Sequence, residues 1–564
     1  MELTVAIHCV YHTKTDRLVF DVGHQCYSHK LLTGRLSGFS RLRQQGGISG
    51  FPKPSESIHD AFIAGHASNS VSVALGMARA RTMLGESYQV AALIGDGAMT
   101  GGLSYEGLND AGASGEPIVV ILNDNGMSID PNVGGVSRHL CNLRSRPAYF
   151  RLKEGYRTFL SRNPAGMAVY RFTHRIKTIV KQALYPCSMF EAMGFTYMGP
   201  VDGHDVEQLI QTLSQAQQMH RPVLVHVCTK KGKGYLPAEA QPEQCHGVGA
   251  FDPAVGPYHA EKRDFSAVFG ESLTALAREN PKICAITAAM AEGTGLQHFA
   301  AEHPRRFFDV GIAEGHAVAM AAGMAKQGMT PVFAVYDSFL QRGFDMLIHD
   351  VALQQLPVVL GIDRAGLVGA DGSTHHGCQS VGYLTQIPGM NVLCPASYEE
   401  LSSMLAAAVQ LGQPVAVRYP KGSEEYPFPR WDGADSTILQ QGEDVTLVSY
   451  GVLCNELLTA AELLEQQGIH SEIIKLHRIA PLNAEPVLHS VKKTGKLLVL
   501  EDVFAVGSIG WQLSAAIAQS GLSADKIILK NLGSTFAGQG TVAQLRCELG
   551  LDAAAVAQAV REAM

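Results

Sequence analysis

The chain has 564 residues, 46% of them hydrophobic and 17% charged, and its net charge of −7 argues against general affinity for nucleic acid. That length implies about three domains, and no apolar run is long enough to span a membrane. Eleven cysteines, odd in number and never in C-x-x-C pairs, point to reduced thiols and a cytoplasmic location rather than a disulfide frame or a zinc site.

In chain order, Met1–His8 lacks the basic head and cleavage site of a signal peptide and reads as an interior helix that begins abruptly. Val90–Ile94 and Ile118–Leu122 are apolar runs of strand length. Ala98–Ala113 between them carries helical spacing through Met99, Leu103, Leu108 and Ala111, which predicts a strand–helix–strand unit. Gly95-Asp96-Gly97 follows the first strand and Asn123-Asp124-Asn125 follows the second, with 29 positions separating Asp96 from Asn125. If the strands are parallel neighbours, both side chains emerge at the carboxyl ends, where open α/β sheets bind ligands. A carboxylate and an amide oxygen make a hard oxygen site suited to Mg²⁺. The flanking glycines let the backbone approach a bulky anion. Gly-Asp-Gly alone is a common strand–turn–helix junction; its distance from Asn125 gives it meaning.

Arg138 to Lys181 is unusually basic and predicts a solvated helical excursion or lid, an insertion over about 138–186. A Pro- and Gly-containing linker, 237–258, closes a first block at 1–262. A second, 263–426, has strand candidates at Ile283–Ile286, Pro331–Val335 and Pro357–Ile362. The third, 427–564, has them at Val445–Ser449 and Lys496–Leu500. Strands alternating with helices predict the α/β class, with mostly parallel sheets flanked by helices in every block.

The Asp96-to-Asn125 pair resembles the diphosphate-anchoring motif of thiamine-diphosphate enzymes. Further stretches resemble the 1-deoxy-D-xylulose-5-phosphate synthase family. They include Asp21-Val22-Gly23-His24-Gln25, Gly65-His66-Ala67-Ser68, Gly199-Pro200-Val201-Asp202-Gly203-His204-Asp205 and Thr229-Lys230-Lys231-Gly232-Lys233-Gly234-Tyr235. Gly311-Ile312-Ala313-Glu314, and Asp363 through Gly372 with Thr374-His375, continue the match in order along nearly the whole chain. The resemblance implies a three-domain transketolase-like architecture: a diphosphate-binding domain, a pyrimidine-binding domain and a transketolase C-terminal-type domain over the three blocks. It also implies a cytoplasmic homodimer with thiamine diphosphate and Mg²⁺ as cofactors. The implied reaction is decarboxylation of pyruvate and carboligation to D-glyceraldehyde 3-phosphate. Its product, 1-deoxy-D-xylulose 5-phosphate, feeds isoprenoid, thiamine and pyridoxal synthesis. No nucleic-acid or membrane partner is expected.

Residue roles follow from the same resemblance. Asp96, Asn125 and the Met127 carbonyl match the metal ligands. Gly65, His66, Ala67, Gly97, Ala98, Lys231 and Tyr235 match cofactor contacts, Gly97 and Ala98 through N–H groups at a helix N-terminus. Glu314 matches the glutamate that hydrogen-bonds the aminopyrimidine nitrogen and so activates the thiazolium carbon; its bland alternative is a helix N-cap. His24 matches a proton carrier near the reacting carbons, although a lone histidine is usually structural. Arg364 and Arg418 match a phosphate clamp, and Tyr336, Arg342, Asp371 and His375 match an acceptor channel.

Several departures stand out. The family's early Gly-Gly-His-Leu stretch, with a histidine near the reacting carbons, has no counterpart after Met1, which suggests a shortened chain or a misassigned start. Gly315 stands for a usual Gln, Ala288 for Pro, Gly126 for Glu, Asn69 for Thr and Ala67 for Ser. Two other functions compete with the synthase reading: ketol transfer of the transketolase type, and a catalytically impaired, truncated paralogue.

Overall fold

The computed structural model describes residues 1–128, 132–144, 189–242, 245–249, 251–256 and 263–564. Most of the basic insertion and part of the linker therefore lie outside the described residues. The chain forms two compact units: Met1–Phe39 with Gly50–Tyr258, and Ser40–Ser49 with His259–Met564.

The first unit is built on an all-parallel five-stranded sheet. Its strands are β1 (Arg17–Phe20), β2 (Val90–Gly95), β3 (Val119–Asp124), β4 (Thr196–Asp202) and β5 (Val223–Cys228), in the order β1-β2-β3-β5-β4. β2, β3 and β5 are apolar almost throughout because helices bury both faces. One face packs on the first helix, Glu2–Val10, through Leu3, Ala6 and Ile7, and on the helix Val206–Gln217 through Leu209, Leu213 and Ala216. The helix expected over Met1–His8 is thus present, at Glu2–Val10. β2 and β3 are parallel neighbours in register from Ala91↔Val119 to Gly95↔Asn123, so the tips carrying Asp96 and Asn125 end side by side.

The intervening helix differs from its expectation. A single 3-10 turn, Ala98–Thr100, comes first, and the α-helix starts only at Gly102. Gly101 is extended (φ −76°, ψ 140°) and breaks the run between them. Gly97 and Ala98 consequently stand at the start of a short turn rather than of the long helix.

The second unit holds two sheets. The first has seven strands: β6 (Ile283–Thr287), β7 (Phe307–Asp309), β8 (Thr330–Tyr336), β9 (Val359–Asp363), β10 (Asn391–Leu393), β11 (Val415–Arg418) and β15 (Arg478–Ala480), in the order β15-β10-β11-β9-β8-β6-β7. Every pairing is parallel except that of β15 on β10. The other sheet has five strands in the order β12-β14-β13-β16-β17: β12 (Ser436–Gln440), β13 (Val445–Tyr450), β14 (Ser471–Leu476), β16 (Lys496–Leu500) and β17 (Lys526–Lys530). Only β12 is antiparallel. Ile362, Val448, Ile474 and Val499 belong to one continuous apolar core, so the sheets of the second and third blocks share their packing.

Candidate functional site

In the first unit, three turns converge at the carboxyl ends of β1, β2 and β3. After β1, the Asp21 carboxylate accepts the backbone N–H groups of Ser68 (2.8 Å) and Ser70 (3.1 Å), which holds the Gly65-His66-Ala67 loop. Ser68 then donates its hydroxyl to the Ala98 carbonyl at 2.7 Å, joining that loop to the turn after β2. A Cβ placed on Gly97 would lie 2.9 Å from the Ser128 Cβ, so only glycine lets the turn after β2 approach the turn after β3 so closely.

Asp96 is buried at the meeting point. Its Oδ2 accepts the Gly126 N–H at 2.7 Å and the Asn132 side-chain amide at 2.8 Å. Burial and the neighbouring Asp124 carboxylate push the Asp96 carboxyl up to about 7. Asn125 Oδ1 accepts the Met127 N–H at 3.0 Å. The Asp96 carboxylate and the Asn125 amide oxygen are hard oxygen donors, and a divalent cation would also relieve the repulsion between Asp96 and Asp124. Lys231 adds positive charge at the same turn, donating to the Ser128 carbonyl at 2.7 Å. These residues fit a metal-bound diphosphate. Among the described residues, one cluster mixes other ligand types: Asp124, His226 and Cys228 have ligand atoms within 4.8 Å of one another.

His24 carries a neighbour that sequence reasoning missed. The His246 ring lies 4.9 Å from it, centre to centre, and His246 Nδ1 is 3.0 Å from Lys231 Nζ. Burial, aided by His24 and Lys231, pushes His246 down to about 3, so its ring is neutral. It lies within the 237–258 linker, which has no periodicity, and nothing in the local pattern marks it. The Tyr235 hydroxyl donates to the Pro253 carbonyl at 3.0 Å.

In the second unit the expected residues gather at the carboxyl ends of β7, β8 and β9. Glu314 opens the helix Glu314–Lys326 and is buried; burial raises its carboxyl, while Arg342, 3.7 Å away, works in the opposite direction. Tyr336 ends β8, and the Arg364 guanidinium lies 3.7 Å from its ring centre. Arg364 takes a left-handed backbone (φ 62°) just after β9 and donates to the Gly293 carbonyl at 2.9 Å. His375 lies edge-on to Phe339 and beside Asp371. Asp371 is paired with Arg43, which comes from the Ser40–Ser49 segment, and lies 4.0 Å from Lys421. Burial alone would raise its carboxyl; His375, Lys421 and Arg43 together hold it below the ordinary carboxylate range.

Arg418 is not brought to this group. It is buried, with Nε donating to Asp337 (3.2 Å) and Ser380 (2.8 Å) and Nη2 to the Gly377 carbonyl (2.7 Å). As the last residue of β11 it points its charge into the protein, where Asp337 balances it. The cations beside Asp371 are instead Arg43 and Lys421, neither expected from sequence. Lys421 follows Arg418 by three positions, and the Arg-Tyr-Pro-Lys run offered two choices that only burial separates.

Known proteins are similar to this chain along nearly its whole length. Residues 1–229 match the family described as 1-deoxy-D-xylulose-5-phosphate synthase, 261–425 the transketolase pyrimidine binding domain and 434–556 the transketolase C-terminal domain. The 1-deoxy-D-xylulose-5-phosphate synthase 1 of Geobacter sulfurreducens is 45% identical over 99% of this chain and 89% of its own length. The synthase of Pelotomaculum thermopropionicum is 46% identical over 100% and 89%. A solved split-gene transketolase, described as an inactive beta4 tetramer, is 26% identical, with a TM-score of 0.50, over 54% of this chain and 98% of that one. With near-full-length identity of this order and transketolase domains in sequence behind the synthase N-terminal match, the chain belongs to the 1-deoxy-D-xylulose-5-phosphate synthase family.

Proposed function

We propose that this protein decarboxylates pyruvate and joins the remaining two-carbon unit to D-glyceraldehyde 3-phosphate, giving 1-deoxy-D-xylulose 5-phosphate and CO₂. The supporting observation is the 45% identity to a named synthase across 99% of the chain, together with a buried glutamate at the expected strand end. Thiamine diphosphate, when bound, supplies the nucleophilic carbon and the electron sink for loss of CO₂.

Asp96, Asn125 and the Met127 carbonyl hold Mg²⁺. Gly97, Ala98 and Lys231 bind the diphosphate, while Gly65, His66, Ala67 and Tyr235 line the cofactor. Glu314 shares a proton with the pyrimidine nitrogen; burial raises its carboxyl, which favours that role. His24 and the neutral His246 move protons at the reacting carbons. Arg364, with Lys421 and Arg43 in place of Arg418, binds the acceptor's phosphate. Tyr336, Arg342, Asp371 and His375 line the acceptor's path.

The three blocks, 1–262, 263–426 and 427–564, act as diphosphate-binding, pyrimidine-binding and C-terminal-type domains of a cytoplasmic homodimer. Among the described residues, no helix is long and apolar enough to cross a membrane. Release of labelled CO₂ from carboxyl-labelled pyruvate, dependent on D-glyceraldehyde 3-phosphate, tests the activity. Ketol transfer between sugar phosphates without decarboxylation would replace it with the transketolase reading.

A further inference from the structure

Asn123, Asp124 and Asn125 are three consecutive polar residues at the tip of β3, and their side chains meet different partners. Asn123 Oδ1 accepts the Thr229 hydroxyl at 2.7 Å. The buried Asp124 carboxylate meets His226 Nε2 at 2.8 Å, and the Asp124 carbonyl accepts the Thr229 N–H at 2.9 Å. Asn125 Oδ1 accepts the Met127 N–H instead. The other nitrogen of His226, Nδ1, lies 2.7 Å from the Tyr197 hydroxyl.

A carboxylate only accepts, so Nε2 carries the proton. In that tautomer Nδ1 accepts from the Tyr197 hydroxyl. Tyr197, His226, Asp124 and Asp96 belong to or directly follow β4, β5, β3 and β2, which are consecutive in the sheet. A line of polar groups therefore crosses an otherwise apolar sheet and ends at the residue read as a metal ligand. His226 and Asp124 are fully buried, where an unsatisfied polar group is expensive and a satisfied one fixes geometry.

We propose that Tyr197, His226 and Asp124 are positioning residues, a cross-sheet brace that fixes the tip of β3 so that Asn125 and the Met127 carbonyl face the divalent cation. The inference rests on the reading of Asp96, Asn125 and Met127 as the cation site. In this arrangement Asn123 and Asp124 are anchors and only Asn125 is a ligand. Without the ring N–H, the buried Asp124 carboxylate loses its side-chain tie to β5, and the next residue in the chain, Asn125, moves with it. Cys228 Sγ, 3.9 Å from His226 Nε2, makes the trio look like a site for a thiophilic metal. Both ring nitrogens are already engaged, however, and the trio serves as a brace.

The test is a Mn²⁺ titration of the full chain at saturating thiamine diphosphate, read from the free-ion electron paramagnetic resonance signal. His226→Ala should weaken Mn²⁺ binding about tenfold or more, the usual loss when a group orienting a metal ligand is removed. His226→Gln, whose side-chain amide can still donate to Asp124, should recover most of that loss, a rescue that a purely structural role would not give. Tyr197→Phe deletes one oxygen and should weaken binding by about a few-fold; it decides the question if His226→Ala does not fold. Failure of the unsubstituted protein to take up Mn²⁺ would refute the cation site itself. Unchanged uptake in folded His226→Ala and Tyr197→Phe would overturn the brace alone. Stoichiometric Zn²⁺ retained through dialysis, and lost in Cys228→Ser, would overturn it in favour of a thiophilic metal site.

Discussion

Arg418 Nε lies 3.2 Å from Asp337 Oδ2, and both side chains are buried. Ser380 hydrogen-bonds both members of the pair, and the Gly377 carbonyl takes a second guanidinium nitrogen. A buried charge with one partner removed is far costlier than the intact pair is stabilising. Arg418→Met should therefore lower unfolding free energy by about 3–5 kcal/mol in denaturant titrations. The KM for D-glyceraldehyde 3-phosphate should stay unchanged in the folded fraction.

Lys421 should behave in the opposite way. Its side chain is 46% exposed and its ammonium is 4.0 Å from Asp371, so its loss leaves no orphaned charge in the interior. Lys421→Ala should raise the KM for the phosphorylated acceptor about tenfold, as expected for one lost charge-assisted contact of about 1.5 kcal/mol, without lowering the melting temperature. A normal KM would remove Lys421 from the acceptor site.

Glu314→Ala should reduce kcat by about 10²- to 10⁴-fold, the range for losing a positioned proton-transfer group. Mg²⁺ affinity should remain, because Glu314 is not among the residues proposed to hold the metal. Normal turnover in this variant would overturn the assigned activation route.

Gly270 lies in the helix Phe265–Glu279, where a Cβ would come within 1.8 Å of the Gly295 carbonyl oxygen. The obstacle is backbone and cannot swing aside. Gly270→Ala should cost about 3 kcal/mol by overpacking, seen as a lower denaturation midpoint. Gly323→Ala, on the helix Glu314–Lys326 with nothing within 4 Å of the added carbon, is the matched control. Its expected change is a slight gain, because helix propensity improves.

His477 gives the cofactor-free protein an acid-side weakness. Burial, reinforced by Lys475, pushes its ring down to about 4 from an ordinary 6.5. The unfolded chain therefore takes up this proton first as pH falls. Stability from the neutral ring is complete above 6.5, declines between 6.5 and 4, and changes no further below 4. The decline should approach about 1 kcal/mol per pH unit. Urea midpoints at pH 7, 6 and 5 should show it, and His477→Gln should shallow the slope.

Much of this architecture is legible in the chain itself. Val90–Ile94, Ile118–Leu122 and Lys496–Leu500 are apolar runs bounded by turn residues, and each is a strand within a residue or two of its expected limits. Strands buried on both faces carry their own signal because no polar residue can interrupt them cheaply. The helix after Asp96 was less legible. Apolar spacing runs through Ala98–Ala113, yet Gly101 takes an extended conformation that no periodicity reports.

Sequence by itself determined the α/β class, seven of the strands, the residues at the tips of β2 and β3, and the family, because these depend on local pattern and on residue identity at fixed spacing. Tertiary structure alone decided which of two nearby cations turns inward, since Arg418 and Lys421 differ by burial rather than by charge. It also decided that His246 stands beside His24 and that Arg43 reaches Asp371. Those pairs are separated by more than two hundred residues, and proximity at that range is set by packing, which no local pattern encodes.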